Sequence, residues 1–242
     1  SRDRRLLVVG AGKAAASMAQ AVEHHYASIG ESDRLRGTVA TRYGHGRPLA
    51  RIRLTQAGHP VPDAGSIRAA DEALQHVGAA APDEDILVLL SGGASAIWAA
   101  GLSLDDKRAT TTALLASGRT IAVMNTVRKH LSRIKGGRLA RAANGRRTLT
   151  LAISDVPGDD PSVIGSAPTV GDRSTLREAL GALDGLERSI PAAVLAALAD
   201  PRNETVKPGD PCLRRAEYIL VATPHMALEA AATVAARHGY RP

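Results

Sequence analysis

Residues 148–161, TLTLAISDVPGDDP, decide how the rest of the chain is interpreted. The first half is an apolar, β-branched run and the second half is a turn rich in Pro, Gly and Asp. This pattern predicts a buried strand that ends by presenting Asp155. Open α/β proteins keep their sites just past such strand ends. The alternative is a solvated turn in which Asp155, Asp159 and Asp160 cap the segment that begins near Ser162.

The start of the chain has a strand-to-helix junction of the same form. Residues 4–9, RRLLVV, predict a strand that runs into an Ala-rich helix through GAGKAA. Gly12, in this loose G-x-G-x-x-A spacing, would let backbone amides approach an anion at the helix start. Lys13 is unusual there, because a helix N-terminus disfavours a cation unless an anion lies between them. A tight turn without a ligand is the alternative.

A dinucleotide site at this junction would normally have an acidic residue at the end of the next strand, to bind a ribose hydroxyl. The predicted strand, near residues 37–41, ends instead in Thr41, Arg42 and Tyr43. Arg42 suits a 2′-phosphate, but no acid follows. A nicotinamide nucleotide site is therefore the less favoured interpretation.

A third junction lies at residues 85–96, DILVLLSGGASA. Its consecutive apolar residues predict a strand covered on both faces, as in a parallel sheet. Two hydroxyls and two glycines then form a second candidate anion site, at Ser91, Gly92, Gly93 and Ser95. The chain has no G-x-x-x-x-G-K-[ST] motif, so a Walker P-loop would not hold any ATP bound here. A glycine turn with Ser91 as a helix cap is the alternative.

Residues 120–147 carry most of the clustered basic side chains. The spacing predicts one helix, which places Arg128 and Lys135 on a shared face and is ended or bent by Gly136 and Gly137. One interpretation is a basic stripe for nucleic-acid phosphates. Another is a small site that holds phosphate or carboxylate, and a solvated helix face is the third. The candidate residues of the small site are Asn125, Arg128, Lys129 and Lys135.

Taken in order, the segments read strand, helix, strand, strand, helix, strand, helix, helix, strand, helix, strand, helix. This order predicts an α/β fold, a three-layer, Rossmann-like, doubly wound and mostly parallel sheet, with residues 1–242 as one domain. An α/β protein would normally continue into a further strand after GYRP. His59, in the loop GHPVPD, could contact a substrate, although a single His in a turn is more often polar filler.

Composition excludes several classes of protein. The 242 residues are 44% hydrophobic and 2% aromatic with no Phe, which argues against stacking of single-stranded nucleic-acid bases. The single Cys212 excludes an intrachain disulfide and a cysteine zinc cage. No apolar run approaches the ~20 residues that cross a membrane, and no signal-peptide pattern is present, so we expect a cytoplasmic protein without a membrane partner. The net charge of +7 favours anionic ligands in general.

The motifs together resemble a known family. GAGKAAASMAQA, TRYGHG, AGHPVPD, LLSGGASA, MNTVRKHLSRIKGGRLA and SDVPGDDPSVIGSAPT, in this order, are similar to the bacterial and archaeal glycerate 2-kinases. Members of this family also carry the name hydroxypyruvate reductase, and their C-terminal part is called the MOFRL domain. The similarity covers nearly the whole chain.

The resemblance implies ATP- and magnesium-dependent phosphorylation of D-glycerate on its 2-hydroxyl, in a cleft between a large Rossmann-like domain and the MOFRL domain. Lys13 matches the family's essential lysine and Asp155 its essential aspartate. SGGAS and the segment around Arg128 match stretches that line the cleft, with Asp159 also a candidate contact. Asp155 would accept the substrate proton or help to hold Mg²⁺, and the resemblance does not choose between these roles.

Two departures from the family pattern matter. SVIGSAPTVGD stands where the family usually has SVIASGPTVPD, so that Gly165, Ala167 and Gly171 differ. The expected leading helices and MOFRL domain are also missing. If the 242 residues act alone, we expect weak or absent kinase activity.

Other functions stay open at this point. A NAD(P)H-dependent hydroxypyruvate reductase is the alternative enzyme, and a catalytically silent fragment or a basic nucleic-acid-binding protein are the alternatives outside enzymes. The favoured interpretation expects D-glycerate, ATP and the MOFRL domain as partners, expects no nucleic acid, and leaves a homodimer open.

Overall fold

A single six-stranded sheet organises the part of the chain that the computed structural model describes, residues 4–241. Its strands are β1 (Arg5–Ala11), β2 (Leu35–Arg42), β3 (Ile52–Ala57), β4 (Glu84–Leu90), β5 (Thr148–Ile153) and β6 (Ala216–Ala222). They lie in the order β3-β2-β1-β4-β5-β6, and every neighbouring pair is parallel. The predicted doubly wound α/β fold is confirmed, and the sheet expected to be mostly parallel is parallel throughout.

Nine α-helices accompany the strands within residues 4–241. They are α1 (Ala15–Ser28), α2 (Ala64–Gly78), α3 (Ala94–Ile97), α4 (Leu104–Ala116), α5 (Ile121–His130), α6 (Arg138–Ala142), α7 (Leu176–Gly181), α8 (Ala192–Ala199) and α9 (Pro224–Arg237). The predicted order of strands and helices is confirmed, with the short helices α3 and α6 added. The helical region before β6 divides into α7, which ends at Gly181, and α8, which follows Pro191.

The sheet lies between two helical layers. Alternate strand residues point to opposite faces, so Val8 packs with Ala15 and Ala19 of α1, whereas Val9 packs with Ala73 of α2. The small alanine side chains let both helices approach the sheet closely, which is how a core without Phe is filled. A separate apolar cluster forms where α4, α5, α7 and α8 meet, around Val127.

The basic segment contains a shorter helix than the sequence predicted. α5 ends at His130 and does not continue to Gly136. The Arg138 guanidinium donates to the carbonyl oxygens of Lys129 (2.6 Å) and Ser132 (2.5 Å), which gives these carbonyls partners outside a helix. The prediction that one helix face carries both Arg128 and Lys135 is therefore wrong.

Glu204 joins the loop before β6 to α5 and α7. Its carboxylate accepts hydrogen bonds from His130 Nε2 (2.9 Å) and the Leu176 amide (3.0 Å), and it pairs with Lys207 Nζ at 2.6 Å. Burial alone would raise the pKa of Glu204, but the hydrogen bonds from Lys207, Leu176 and His130 lower it to about 2. The folded state therefore binds the proton of this group less readily than the unfolded chain does.

We expect Glu204 to contribute to acid sensitivity. Because its pKa is lowered on folding, its stabilising effect is present above the usual value of 4.5 and is lost as the pH falls toward 2. As the pH is lowered from 4.5 toward 2, the urea concentration at the unfolding midpoint should decrease more steeply for the unsubstituted chain than for Glu204→Gln. Parallel curves for the two proteins would contradict this assignment.

The sheet edge at β6 is less covered than its centre. β6 alternates half-buried and exposed residues, with Ile219 48% exposed, and α9 has no buried residue. Among residues 4–241, no helix has the length and apolar character that crossing a membrane requires.

The strand order places one crevice at the middle of the sheet. β1 and β4 are neighbours, but the chain leaves β1 toward β2 on one side and leaves β4 toward β5 on the other. In open α/β sheets, ligands bind at the carboxyl ends of strands at such a reversal. The loops after β1, β4 and β5 all emerge at this edge, and these loops contain candidate site residues predicted from the sequence.

Candidate active site

Lys13 and Asp155 meet at this crevice. Lys13 follows β1 and Asp155 follows β5, and Lys13 Nζ lies 3.7 Å from Asp155 Oδ2. Both side chains are about half exposed, at 43% and 55%. Ion pairs this exposed contribute little to stability, and at the strand ends both side chains are accessible to a ligand.

The SGG turn after β4 lies directly against this pair. A Cβ atom on Gly92 would come within 2.0 Å of Asp155 Oδ2, so only glycine allows the present approach. Within residues 4–241, the amide N–H groups of Gly92 and Gly93 donate no hydrogen bond. Two amide donors beside a lysine make a suitable environment for an anion, as the sequence predicted for this turn.

The first glycine turn has a different role from the predicted one. The amides of Gly12, Lys13 and Ala14 donate to Ala40 O (3.1 Å), Gly92 O (2.9 Å) and Ser91 Oγ (2.9 Å), respectively. These amides therefore have no free N–H for a bound phosphate, which corrects the prediction of an anion site there. The turn instead fastens the β1 loop to the β4 loop.

Gly12 and Ser91 hold the β1 loop and the β4 loop together. Gly12 has φ +134°, and a Cβ atom there would lie 2.2 Å from Ser91 Oγ. The Ser91 side chain is buried and accepts the Ala14 amide, so it caps α1 from a different loop. Both residues were candidate ligand contacts, and the structure instead has them hold Lys13 and Gly92 in place.

His59 and Arg42 lie beside the Lys13–Asp155 pair. A Cβ atom on Gly93 would lie 2.7 Å from the His59 ring, and the charges of Lys13, Arg42 and Asp155 all act on this ring. Burial lowers the pKa of His59, Lys13 and Arg42 lower it further, and Asp155 opposes them only in part. A neutral imidazole therefore faces the crevice, where the sequence favoured polar filler.

Arg128, Asn125 and Ser95 form a connected group behind the SGG turn. Arg128 donates to Ser95 Oγ (3.1 Å) and to Asn125 Oδ1 (3.4 Å), and Ser95 Oγ lies 2.8 Å from Ser166 Oγ. The structure thus brings three of the predicted site residues together, Asn125 and Arg128 from α5 and Ser95 from α3.

Lys129 is a structural residue. Its ammonium group pairs with Asp172 Oδ1 at 3.1 Å, and the two side chains are only 10% and 3% exposed. Asp172 also accepts hydrogen bonds from the amide and hydroxyl of Ser174. This buried arrangement leaves Lys129 unable to reach a ligand, which corrects its prediction as a binding residue. It also removes Lys129 from any basic stripe for nucleic acid.

Lys135 is buried as well, but it borders a cavity. Its ammonium group donates to Trp98 O (2.6 Å), and it lines a cavity of about 310 Å³ together with Arg128 and Lys107. Lys107 was not among the predicted site residues, because a lysine near the start of a helix has no distinctive sequence signal.

The three Asp residues in the turn after β5 have different surroundings. Asp160 accepts hydrogen bonds from the amide and the hydroxyl of Ser162, each at 2.8 Å, so it is the cap of the segment that follows. Asp159 is half-buried with φ 53°, and its Oδ1 atom has no hydrogen-bond partner among residues 4–241. Asp155 stays beside Lys13.

The described residues fit a nucleotide-bound Mg²⁺ better than a protein-held one. No group of three or more His, Cys, Asp or Glu residues within residues 4–241 is arranged to hold a metal ion. Mg²⁺ in phosphoryl-transfer sites needs only one or two carboxylates, since substrate phosphates and waters supply the other ligands. The half-exposed carboxylate of Asp155 fits that requirement.

Comparisons with known proteins agree on one group of relatives. Residues 1–199 match a family described as a domain of unknown function, DUF4147. An Agrobacterium vitis protein with a provisional hydroxypyruvate reductase name is 48% identical, and the alignment covers 98% of this chain and 53% of that protein. The glycerate 2-kinase of Pyrococcus horikoshii is 37% identical, with coverage of 98% and 54%.

A solved structure shows the same relationship. The crystal structure of a glycerate kinase from Thermotoga maritima superposes with a TM-score of 0.85 at 35% identity, covering 98% of this chain and 55% of that one. The chain therefore spans about half the length of the curated relatives it matches.

Proposed function

The chain belongs to the DUF4147 family, and from this premise we propose that it forms the large domain of an ATP- and magnesium-dependent glycerate 2-kinase. The product would be 2-phosphoglycerate. Relatives named as glycerate kinases and a solved glycerate kinase of the same fold support the proposal. The single observation that carries it is the Lys13–Asp155 pair beside the two free amides of the SGG turn.

This arrangement suits phosphoryl transfer. The reaction needs the charge on the moving phosphoryl group to be neutralised and the attacking hydroxyl to be placed, with little covalent chemistry by the protein. Lys13 and the amides of Gly92 and Gly93 supply fixed positive charge and donors for phosphate oxygens. These groups are already positioned by the hydrogen bonds that join the β1 and β4 loops, so little reorganisation is needed.

Asp155 has the role of orienting the 2-hydroxyl of glycerate and accepting its proton. The carboxylate is solvent-accessible, and Lys13 offsets its charge near the phosphates. The same carboxylate would hold the Mg²⁺ that accompanies the nucleotide, and the ion would supply further charge neutralisation. The Mg²⁺ requirement of Asp155→Asn separates these roles, because a lost ligand raises the Mg²⁺ concentration needed for turnover whereas a lost base lowers kcat at every Mg²⁺ concentration.

The test is a coupled assay for ADP release with D-glycerate, ATP and Mg²⁺. We expect release that depends on glycerate and that is slow for the 242 residues alone, because they span about half the length of the relatives they match. ADP release that is the same with and without glycerate would contradict the proposal, and so would the absence of both turnover and ligand binding by calorimetry.

A hydroxypyruvate reductase is the second candidate, because the relative at 48% identity carries that name. Two observations count against it. The amides of the first glycine turn, which would hold a dinucleotide pyrophosphate, all have protein partners. Arg42 occupies the end of β2, where an acidic residue would bind the ribose. We therefore expect no hydroxypyruvate-dependent change in NAD(P)H absorbance at about 340 nm, and such a change would favour the reductase.

The Gly92→Ala variant should show whether the position of the Asp155 carboxylate affects turnover while the stability of the fold is unchanged. The new methyl group must displace the Asp155 carboxylate, whose exposed side chain can rotate away, so the fold should tolerate the change. We expect glycerate-dependent turnover to fall about 100-fold, the size of effect that small misplacements produce in active sites. The melting temperature should change little.

The matched control is Gly78→Ala, at the end of α2. Nothing lies within 4 Å of a Cβ atom there, so this variant should keep full turnover. Equal turnover in Gly92→Ala and Gly78→Ala would show that the position of Asp155 does not matter.

A further inference from the structure

A cavity of about 310 Å³ has Ser95 of the SGGAS loop and Pro60 in its lining, but neither Lys13 nor Asp155. Its walls come from the loop after His59, from α4 and from α5 with the turn that follows it. The apolar part of the wall includes Val61, Leu114, Val127 and Leu131. A cavity at the lower end of the ~300–1,000 Å³ range of small-molecule sites has room for a small metabolite but not for a whole nucleotide.

Lys107, Arg128 and Lys135 line this cavity, as does Arg108, which is exposed and pairs with Asp105. The ammonium groups of Lys135 and Lys107 donate to the consecutive carbonyl oxygens Trp98 O and Ala99 O, which brings them close together. Arg128 lines the same space and donates to Ser95 Oγ. The lining includes no Asp or Glu.

The carboxylates nearby are already engaged. The charge of Asp71 acts on Lys107, but Asp71 is paired with Arg133. Asp172 is paired with Lys129 in a separate buried site. Apart from Arg108, the cavity cations therefore lack a carboxylate partner within the described part of the chain.

Such an arrangement is unfavourable without an anion. Burial lowers the pKa of Lys107 to about 8. Burial, with the charges of Arg128 and Lys107, lowers the pKa of Lys135 well below its usual value. Like charges in a poorly solvated space repel each other, and a bound anion would offset both the repulsion and the lost hydration. Local arrangements that oppose folding are typical of functional sites.

We propose that this cavity binds the carboxylate group of the small hydroxy acid that accepts the phosphoryl group. This inference rests on the proposed function and adds where the acceptor substrate binds. Lys135 and Arg128 would donate to the carboxylate oxygens, Lys107 would add charge, and the apolar wall would contact the carbon chain.

The connection to the reacting groups runs through one loop. A Cβ atom on Gly92 would meet Asp155 and one on Gly93 would meet His59, so the turn lies close to both side chains. Ser95, two residues later, lines the cavity and accepts a hydrogen bond from Arg128. Pro60, directly after His59, lines the cavity as well. An acid held by its carboxylate in the cavity would thus extend along the SGGAS loop toward Asp155, while the nucleotide phosphates lie on the side of Lys13.

The test measures binding without catalysis. D-glycerate alone, and Mg-ATP alone, are titrated calorimetrically into the 242-residue chain and into its Lys135→Met, Arg128→Met and Lys107→Met variants. Arg177→Met is the matched control, because Arg177 is an exposed arginine outside the cavity. Circular dichroism and the melting temperature identify which variants fold, and the three cation variants give independent answers.

We expect each folded cation variant to bind D-glycerate about tenfold more weakly or worse, as the loss of a charge-assisted hydrogen bond predicts. Mg-ATP affinity should be unchanged, and Arg177→Met should bind both ligands normally. Retained D-glycerate affinity in the folded cation variants, loss of Mg-ATP affinity in its place, or no D-glycerate binding by the unsubstituted chain would overturn the inference.

Turnover distinguishes this inference from the proposed function. Glycerate binding that depends on the cavity cations, in a chain without kinase activity, would support the cavity and contradict the kinase. Kinase activity whose KM for glycerate is the same in all cation variants would support the kinase and contradict the cavity.

Discussion

Replacement of Lys13 by alanine is expected to lower glycerate-dependent ADP release about 1,000-fold, the upper range for removing one preorganised charge donor at a reacting group. The Lys13 ammonium group lies at the crevice between β1 and β4, 3.7 Å from the Asp155 carboxylate. Removing it leaves the phosphates without their nearest fixed cation. The measurement is kcat/KM with D-glycerate, together with Mg-ATP affinity by calorimetry, which should also weaken.

The fold should survive this substitution, because the Lys13 side chain is 43% exposed and its only described ion pair is with an equally accessible carboxylate. The control is Arg5→Ala, which removes an exposed ion pair with Asp83 at the opposite end of β1. We expect normal turnover in that control. Wild-type turnover in a folded Lys13→Ala variant would eliminate Lys13 from the mechanism.

Asp172→Asn is expected to destabilise the fold by about 3–5 kcal/mol, the usual cost of leaving one partner of a buried ion pair uncompensated. Lys129 and Asp172 are 10% and 3% exposed, and their charged atoms lie 3.1 Å apart. Burial alone would raise the pKa of Asp172, but hydrogen bonds from Ser174 and the charge of Lys129 lower it, so the carboxylate is ionised in the folded protein. Urea unfolding at neutral pH measures the loss.

The matched control is Asp83→Asn, which breaks the exposed pair with Arg5 and should change stability little. The double variant Lys129→Met with Asp172→Asn should recover part of the lost stability, because no unpaired charge stays buried. If Lys129 were a ligand contact, Asp172→Asn would instead weaken ligand binding and leave the unfolding midpoint unchanged.

The central architecture was predictable because it follows from local patterns. The five apolar residues before SGGAS predicted a strand covered on both faces, and β4 lies at the centre of the sheet. β5 was predicted as a buried strand, yet Leu149 and Leu151 are only half-buried. The sheet is poorly covered near β6, and coverage depends on distant helices that the sequence of β5 does not specify.

The candidate site was predicted less completely than the fold. Strand ends correctly placed Lys13 and Asp155 at one edge, since carboxyl ends of parallel strands share it. The pattern of glycines could not show which amides were free, because the acceptors of the first turn, Ala40 O and Gly92 O, lie in other segments. Lys129 looked like its basic neighbours, and its partner Asp172 is 43 residues away.

Ala167 shows how a departure from the family pattern is tolerated. The resemblance to the glycerate 2-kinases implies glycine at this position, and Ala167 is buried with φ 57° and ψ 58°, the left-handed conformation that favours glycine. The surrounding loop keeps this backbone shape, and the Ala167 carbonyl accepts the Gly137 amide at 2.7 Å. The substitution therefore stores local strain but leaves the loop connected to the turn before α6.

The most direct test of the proposed function is to incubate the chain with Mg-ATP and D-glycerate and to identify the product by phosphorus NMR. We expect glycerate-dependent formation of a phosphate ester on carbon 2, which is lost in Lys13→Ala and Asp155→Asn. A phosphate ester on carbon 3, or ATP hydrolysis that is the same with and without glycerate, would contradict it.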